Sequence, residues 1–496
     1  MKRRKALQQI GWGLSGGIIL PPLLSACASK DPSPQIAYSG TVAVIGAGAS
    51  GLYVADILHS KGINVKIFEA RDQIGGRIRS LRNQRDKANL AIQPVPEYYP
   101  DIPLLSSDFP LELGAQTIIG SDSIFGKIFQ AYGLPTSEFL PATTHFVLGN
   151  TANNATGWGS DPDFLAASNF RANLKNNVGS SQTVLQAASG IGSRAQGMLN
   201  GEIGNFYGGD NNVAGIGELA EEETLRKTDG KIIALKANPM QDAIISRFSA
   251  VQDFVQLNTP ITSVNYSGEV ITLTAKDGST YEANKVVVTV PVSMLKSGGI
   301  TFSPGLPGSF TSSLARIGMG ASLRVVLEFK KNFWGDSVGF IYGSSNVPEY
   351  FSMGLGRSQF NATLSVTVNG ARGDAYSAMG DGAVNAILAD IDLLYPDKIL
   401  SFPGLGTQFI RKDIATNKNI YILHDWTKTE YIKGGYSYPL AGANNADRNA
   451  IGLPVNGKLF FAGEATDVSG QAGMVNGALA SAERAAQNVI DSILNP

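Results

Sequence analysis

Gly46-Ala47-Gly48-Ala49-Ser50-Gly51 is the stretch that decides the fold. Before it, Thr41-Val42-Ala43-Val44-Ile45 is a short run without charge, which reads as a strand buried on both faces. After it, Leu52, Ala55 and Leu58 recur at helical spacing until Gly62 breaks the pattern. Residues 65–68 form a second β-branched run, and Glu69 follows at its end. Strand, glycine turn, helix, strand is the opening of a doubly wound parallel sheet.

The glycines have separate physical tasks. The first permits the tight turn, the second lets a pyrophosphate approach the backbone, and the third lets helix and strand pack closely. Phosphate charge there meets free N–H groups and the positive end of the helix dipole. A carboxylate at Glu69 accepts from a ribose 2′-hydroxyl and repels a 2′-phosphate, so a dinucleotide other than NADP is expected.

At 496 residues the chain exceeds the size of a single core, so two intertwined domains are expected. A net charge of -1 leaves no electrostatic footprint for nucleic acid. Residues 83–111 read as an inserted loop and 147–162 as surface. From Phe254 the pattern alternates through 254–257, 261–266, 270–275 and 280–283, with Asp277-Gly278 as a hairpin turn. Residues 285–290 and 458–462 read as buried strands, and 477–493 as an Ala-rich helix.

The first residues carry processing signals. Lys2, Arg3, Arg4 and Lys5 precede an apolar stretch at 10–26 that Gly and Pro interrupt, short for a spanning helix. Leu24-Ser25-Ala26-Cys27 resembles a bacterial lipobox, and the twin arginine resembles a twin-arginine export signal. Cys27 is the only cysteine, so the body has no disulfide, thiolate metal site or thiol chemistry. Residues 1–27 are therefore expected to be an export signal with lipidation at Cys27, and 28–40 a tether. An ordinary cleaved signal peptide is the alternative. The expected location is periplasmic or cell-surface, with membrane contact only through that anchor.

Further motifs name a family. Glu69-Ala70-Arg71 leads into Gly75-Gly76-Arg77-Ile78-Arg79, and Glu112-Leu113-Gly114-Ala115 follows. Val255 to Ile261 precedes Val288-Thr289-Val290-Pro291, and Phe460-Phe461-Ala462-Gly463-Glu464-Ala465-Thr466 precedes Gly473. Together these resemble the flavin monoamine oxidase (amine oxidase) superfamily, which includes polyamine oxidases, L-amino-acid oxidases and tryptophan 2-monooxygenase-like enzymes.

The resemblance implies an α/β fold: an FAD-binding, Rossmann-like domain from 41–120, 240–300 and 450–496, interleaved with an α+β substrate domain from 121–239 and 301–449. It implies that Gly46, Gly48, Ala49, Ser50 and Gly51 hold the pyrophosphate, with Glu69, Ala70 and Arg71 near the ribose. Gly76 and Arg77 would serve the pyrophosphate, Gly114 and Ala115 the flavin ring, and Ile261 the adenine. Gly463 and Glu464 would hold ribityl or pyrophosphate groups, and the helix N-terminus at Met474 and Val475 would face the flavin's pyrimidine end.

Trp426 to Tyr436 resembles the family segment that delivers an aromatic cage residue. An electron-rich Tyr436 ring would orient an amine; a half-buried core aromatic is the plainer reading. Gly435 stands where some members attach flavin to cysteine, so FAD is expected to be non-covalent. Met474 stands at the second cage position. Arg324 replaces the family lysine; it stays protonated, and either grips a substrate carboxylate or forms a structural ion pair. Gln116-Thr117-Ile118-Ile119 lacks the arginine of amino-acid oxidases.

The expected reaction oxidises an amine C–N bond to an imine, with O2 reoxidising FAD to give H2O2. The alternatives are a same-fold enzyme acting on C–C bonds and a catalytically silent FAD-binding lipoprotein. His59, His145 and His424 are scattered and read as core or surface residues.

Overall fold

The computed structural model describes residues 35–81, 109–344, 346–358, 362–395, 409–414 and 416–495. The export signal, Cys27 and nearly all of the 83–111 loop lie outside the described residues.

β1 (Thr41–Ile45), α1 (Ala49–Ser60), β2 (Asn64–Phe68), β3 (Val255–Gln256), β4 (Lys285–Val288), β5 (Leu459–Phe461) and α2 (Val475–Leu494) build the nucleotide layer. The strands run parallel in the order β3-β2-β1-β4-β5. Successive side chains of β1 point to opposite faces. Val42 and Val44 pack with Leu52 and Ala55 of α1 and with Leu479, Ala482 and Ala486 of α2. Ala43 and Ile45 pack with Val264, Ile271 and Leu273 on the other face. Burial on both faces explains the charge-free run, each Val or Leu contributing about 1.5–3 kcal/mol. Alanines on α2 allow it to lie close against α1.

The second covering layer is a four-stranded sheet in the order Thr280–Ala283, Ile271–Ala275, Ile261–Asn265, Thr301–Ser303. Gly278, with φ +87°, turns its hairpin. Thr301–Ser303 pairs parallel with Ile261–Asn265, so this layer runs past residue 300.

A seven-stranded sheet lies beyond, in the order Tyr421–Asp425, Ser322–Glu328, Thr363–Asn369, Glu349–Ser352, Phe340–Tyr342, Thr144–Leu148, Thr151–Asn154. Ser322–Glu328 and Thr363–Asn369 are buried at every residue. Leu323, Val325 and Leu327 face the helix Gly382–Leu394, with Val384 and Ile387 against them. The alternate residue Arg324 consequently points to the opposite face, toward the nucleotide layer. Helices Pro162–Ala172, Ser193–Leu199 and Ile216–Leu225 close the remaining side around Leu199 and Ile203. Of the 147–162 stretch expected at the surface, Val147 and Leu148 are instead buried, because they end the strand Thr144–Leu148, while 149–162 are exposed or half-buried.

Candidate functional site

One cavity of about 310 Å3 runs from the glycine turn to the seven-stranded sheet. Gly46, Gly48, Ala49, Ser50, Glu69, Ala70, Arg71, Gly76, Arg77, Gly114, Ala115 and Ile261 line it from the first half of the chain. Arg324, Trp426, Tyr436, Gly463, Glu464, Met474 and Val475 line it from the second. Gly51 sits just behind this lining and serves packing: a Cβ there would lie 1.9 Å from the Gly46 carbonyl oxygen.

The turn fits a dinucleotide. Gly46 takes φ +108°, and Gly48 caps α1 without any side chain covering the helix N–H groups. Ser50 Oγ is buried there with no partner, an orphaned donor facing the place of a phosphate. Glu69 accepts from the Ala47 N–H at 2.7 Å and the Arg71 N–H at 3.0 Å, which fixes its carboxylate beside the turn. The second glycine motif folds onto the first: the Gly75 N–H donates to the Ala47 carbonyl at 2.9 Å. Gly76 takes φ +60°, and a Cβ on it would come within 3.2 Å of Gly48 Cα. Arg71 donates to the Gly76 carbonyl at 3.0 Å and braces that contact.

Arg77 and Glu464 join the two ends of the chain. Arg77 Nη1 pairs with Glu464 Oε1 at 2.8 Å and donates to the Gly435 carbonyl at 2.9 Å. Glu464 also accepts from the Ser437 N–H at 3.3 Å, the Ser437 hydroxyl at 2.6 Å and the Gly473 N–H at 2.9 Å. Burial opposes the Glu464 charge, yet Arg77, Ser437 and Arg448 outweigh it and hold the carboxyl below its ordinary range. Both of these Arg77 bonds use Nη1, and the residue remains in the cavity lining. Behind Ser437, Arg448 donates to its hydroxyl at 2.8 Å and pairs with Glu218. Burial also works against the Arg448 charge, and Glu218 and Glu222 more than offset that, so its pKa is raised. Motif spacing carried no sign of this buried support.

At the far end, the Tyr436 hydroxyl donates to the Phe206 carbonyl at 2.8 Å and accepts from Asn369 Nδ2 at 3.1 Å. Its ring packs against Gly208 and Gly473, where a Cβ would clash at 2.8 and 2.9 Å. Burial raises the phenol pKa, so the ring stays neutral. Trp426 Nε1 donates to the Leu113 carbonyl at 2.9 Å, which locks the indole. Met474 caps α2 and leaves the helix N–H groups beside the cavity without a side-chain cap.

Arg324 forms no ion pair within the described residues. Its Nη1 donates to Ser365 at 3.0 Å and to Thr367, and its Nη2 donates to the Gly114 carbonyl at 3.1 Å. Burial lowers its pKa, and nearby Glu349 opposes the shift. Glu349 is the cavity residue that motif reading missed. It accepts from Thr367 Oγ1 at 3.0 Å and Gln116 Nε2 at 3.3 Å, and burial raises its pKa against the pull of Arg324 and Thr367. An ionisable residue opening the run Glu349-Tyr350-Phe351-Ser352, buried throughout, was the available signal. His424 is buried in the sheet against Trp426, with ring centroids 4.3 Å apart. Among the described residues, no group of three or more His, Cys, Asp or Glu could hold a metal ion.

Comparison with known proteins agrees with this geometry. A family model described as flavin containing amine oxidoreductase matches residues 49–490. Lysine-specific histone demethylase 2 of Homo sapiens is 25% identical over 464 residues, covering 91% of this chain and 53% of that protein. The chain thus spans about half the length of that relative. Polyamine oxidase 4 of Oryza sativa subsp. japonica is 24% identical over 512 residues, covering 97% of this chain and 93% of that protein. A solved putrescine oxidase double mutant shares the fold, with a TM-score of 0.71 at 19% identity over 91% of this chain and 99% of that one.

Proposed function

The chain belongs to the flavin-containing amine oxidoreductase family, and from that premise we propose that it oxidises a small amine to the imine, with O2 as acceptor and H2O2 as second product. FAD is its cofactor; with Gly435 at the attachment position and Cys27 the only cysteine, no thioether can tie it to the body of the chain. Bound FAD supplies the acceptor for a hydride from the carbon next to nitrogen. The observation that carries the reading is the single cavity, lined at one end by the Gly46 turn and Glu464 and walled at the other by Tyr436 and Trp426.

The side chains bind and orient more than they transfer protons. Tyr436, held at its hydroxyl, and Trp426, held at its indole nitrogen, present fixed aromatic surfaces that favour a cationic amine and its approach in one orientation. Arg324 remains a cation and cannot act as a base. The N-terminus of α2 favours negative charge at its end of the cavity. Polyamine and putrescine oxidases among the similar proteins support small aliphatic amines as the substrate class.

The purified yellow holoprotein, mixed anaerobically with putrescine, spermidine and monoamines, is expected to lose its colour. Air should restore the colour and release peroxide. A flavin that stays yellow with every amine removes the proposal. Export and lipid anchoring at Cys27 are proposed on the basic start and the lipobox-like segment alone. Cys27→Ser should release the protein from the membrane fraction, and unchanged membrane association would refute the anchor.

A further inference from the structure

We propose that Tyr431, tied down by Lys276, closes over the adenosine half of the bound FAD and sets how slowly the cofactor leaves. The inference concerns retention of the cofactor and holds whichever amine is oxidised.

The backbone gives the first sign. Tyr431 takes φ +62°, a region that is costly for a bulky side chain and free to glycine. The turn is held there by its surroundings. The Ile432 and Lys433 N–H groups donate to the Thr429 carbonyl at 3.1 and 3.0 Å, and the Gly434 N–H donates to the Trp426 carbonyl at 3.0 Å. The Ser293 hydroxyl, on the helix Val292–Lys296, donates to the Ile432 carbonyl. An outlier fixed by so many contacts, in a residue that glycine could replace without strain, points to a task for the side chain.

The position of the ring gives the task. Tyr431 is half-buried and lines the cavity, as do Glu69, Thr259, Pro260 and Ile261 at the end expected to take ribose and adenine. Lys276 Nζ donates to the Tyr431 hydroxyl at 3.2 Å and pairs with Glu430 at 3.3 Å. The Lys276 N–H donates to the Pro260 carbonyl at 2.9 Å, next to Ile261. The phenol thus bridges from the Trp426 to Tyr436 segment to the hairpin turn that backs the adenine-side strand. The Lys276 and Glu430 side chains are 63% and 65% exposed, so the bridge lies at the cavity mouth.

A phenol ring offers a face on which a purine stacks. With Gly435 at the attachment position, no thioether holds FAD, and its retention rests on contacts of this kind. A bond from an exposed lysine is weak alone and screened by salt, which lets the clasp open.

The yellow holoprotein is diluted, and FAD passing an ultrafilter is followed with time. Tyr431→Ala should speed release roughly 5- to 100-fold, the range for losing a base–aromatic stack. Lys276→Ala and Tyr431→Phe should speed it by smaller factors, and the double variant little further, because the two share one hydrogen bond. High salt should speed native release and leave Lys276→Ala nearly unchanged. Tyr431→Gly should release FAD as fast as Tyr431→Ala yet unfold at higher urea, since glycine takes φ +62° without strain. The absorption bands of the bound flavin should keep their positions in every variant. Shifted bands would put the ring at the isoalloxazine and overturn the adenosine assignment. Lys276 is exposed, so its variant folds whatever becomes of Tyr431→Ala. Native release rates in Lys276→Ala and in a yellow Tyr431→Ala overturn the clasp and leave amine oxidation untouched.

Discussion

Replacing Glu464 by glutamine tests the junction between the two ends of the chain. Oε1 accepts from Arg77 and the Ser437 N–H, and Oε2 from the Ser437 hydroxyl and the Gly473 N–H. Turned one way, the new NH2 meets Arg77 and the Ser437 N–H; turned the other, it meets the Gly473 N–H beside a Ser437 hydroxyl that can turn to accept. Arg77 then loses its counter-charge; removing one partner from a buried pair costs about 3–5 kcal/mol. The Arg77 side chain is 25% exposed, so the lower end, about 3 kcal/mol, is expected. Because the folded carboxyl titrates below its ordinary range, its contribution is present above the unfolded pKa and is lost as pH falls through the folded value. The gap between native and Glu464→Gln should thus be full near neutrality and close in acid. Urea unfolding across pH, followed by tryptophan fluorescence, measures it, and gel filtration tests whether flavin stays bound. A loss under about 1 kcal/mol at neutral pH, with the colour retained, would refute the junction.

Glu112, buried between Ser80 and the Met240 N–H, has its pKa pushed up to about 7 by burial. A raised folded pKa means stability present below the unfolded value and lost as pH rises through about 7. The native protein should therefore lose about 3 kcal/mol from this group over that window, and Glu112→Gln should flatten the urea-midpoint profile there. Glu69→Arg puts a cation against the Ala47 N–H and removes the expected ribose acceptor, so the protein should elute colourless; a fully yellow variant rejects the ribose placement. Tyr436→Phe keeps the ring but unpairs the Phe206 carbonyl, and should lower kcat/KM by less than about tenfold. Tyr436→Leu should cost more, and equal losses would reject the aromatic wall.

Local rules were enough for the nucleotide layer. A charge-free strand, a turn that needs positive φ at Gly46 and a helix that must begin uncapped at Gly48 are demands on consecutive residues, so they show in the order of residues. β5 and α2 were legible for the same reason, through Phe460 to Glu464 and the alanines that follow. The aromatic end was half legible: Trp426 and Tyr436 stood out, but the carbonyls and the asparagine that hold them come from Leu113, Phe206 and Asn369. Arg324 was visible as a substitution with two opposed readings. Only strand register, which sets Thr367 between Arg324 and Glu349, gave it hydroxyl partners in place of a carboxylate. Gln116 reaches Glu349 across 233 residues of chain. Such contacts depend on which strands become neighbours, and that is decided by burial of whole sheet faces, not by any property of the few residues that end up touching.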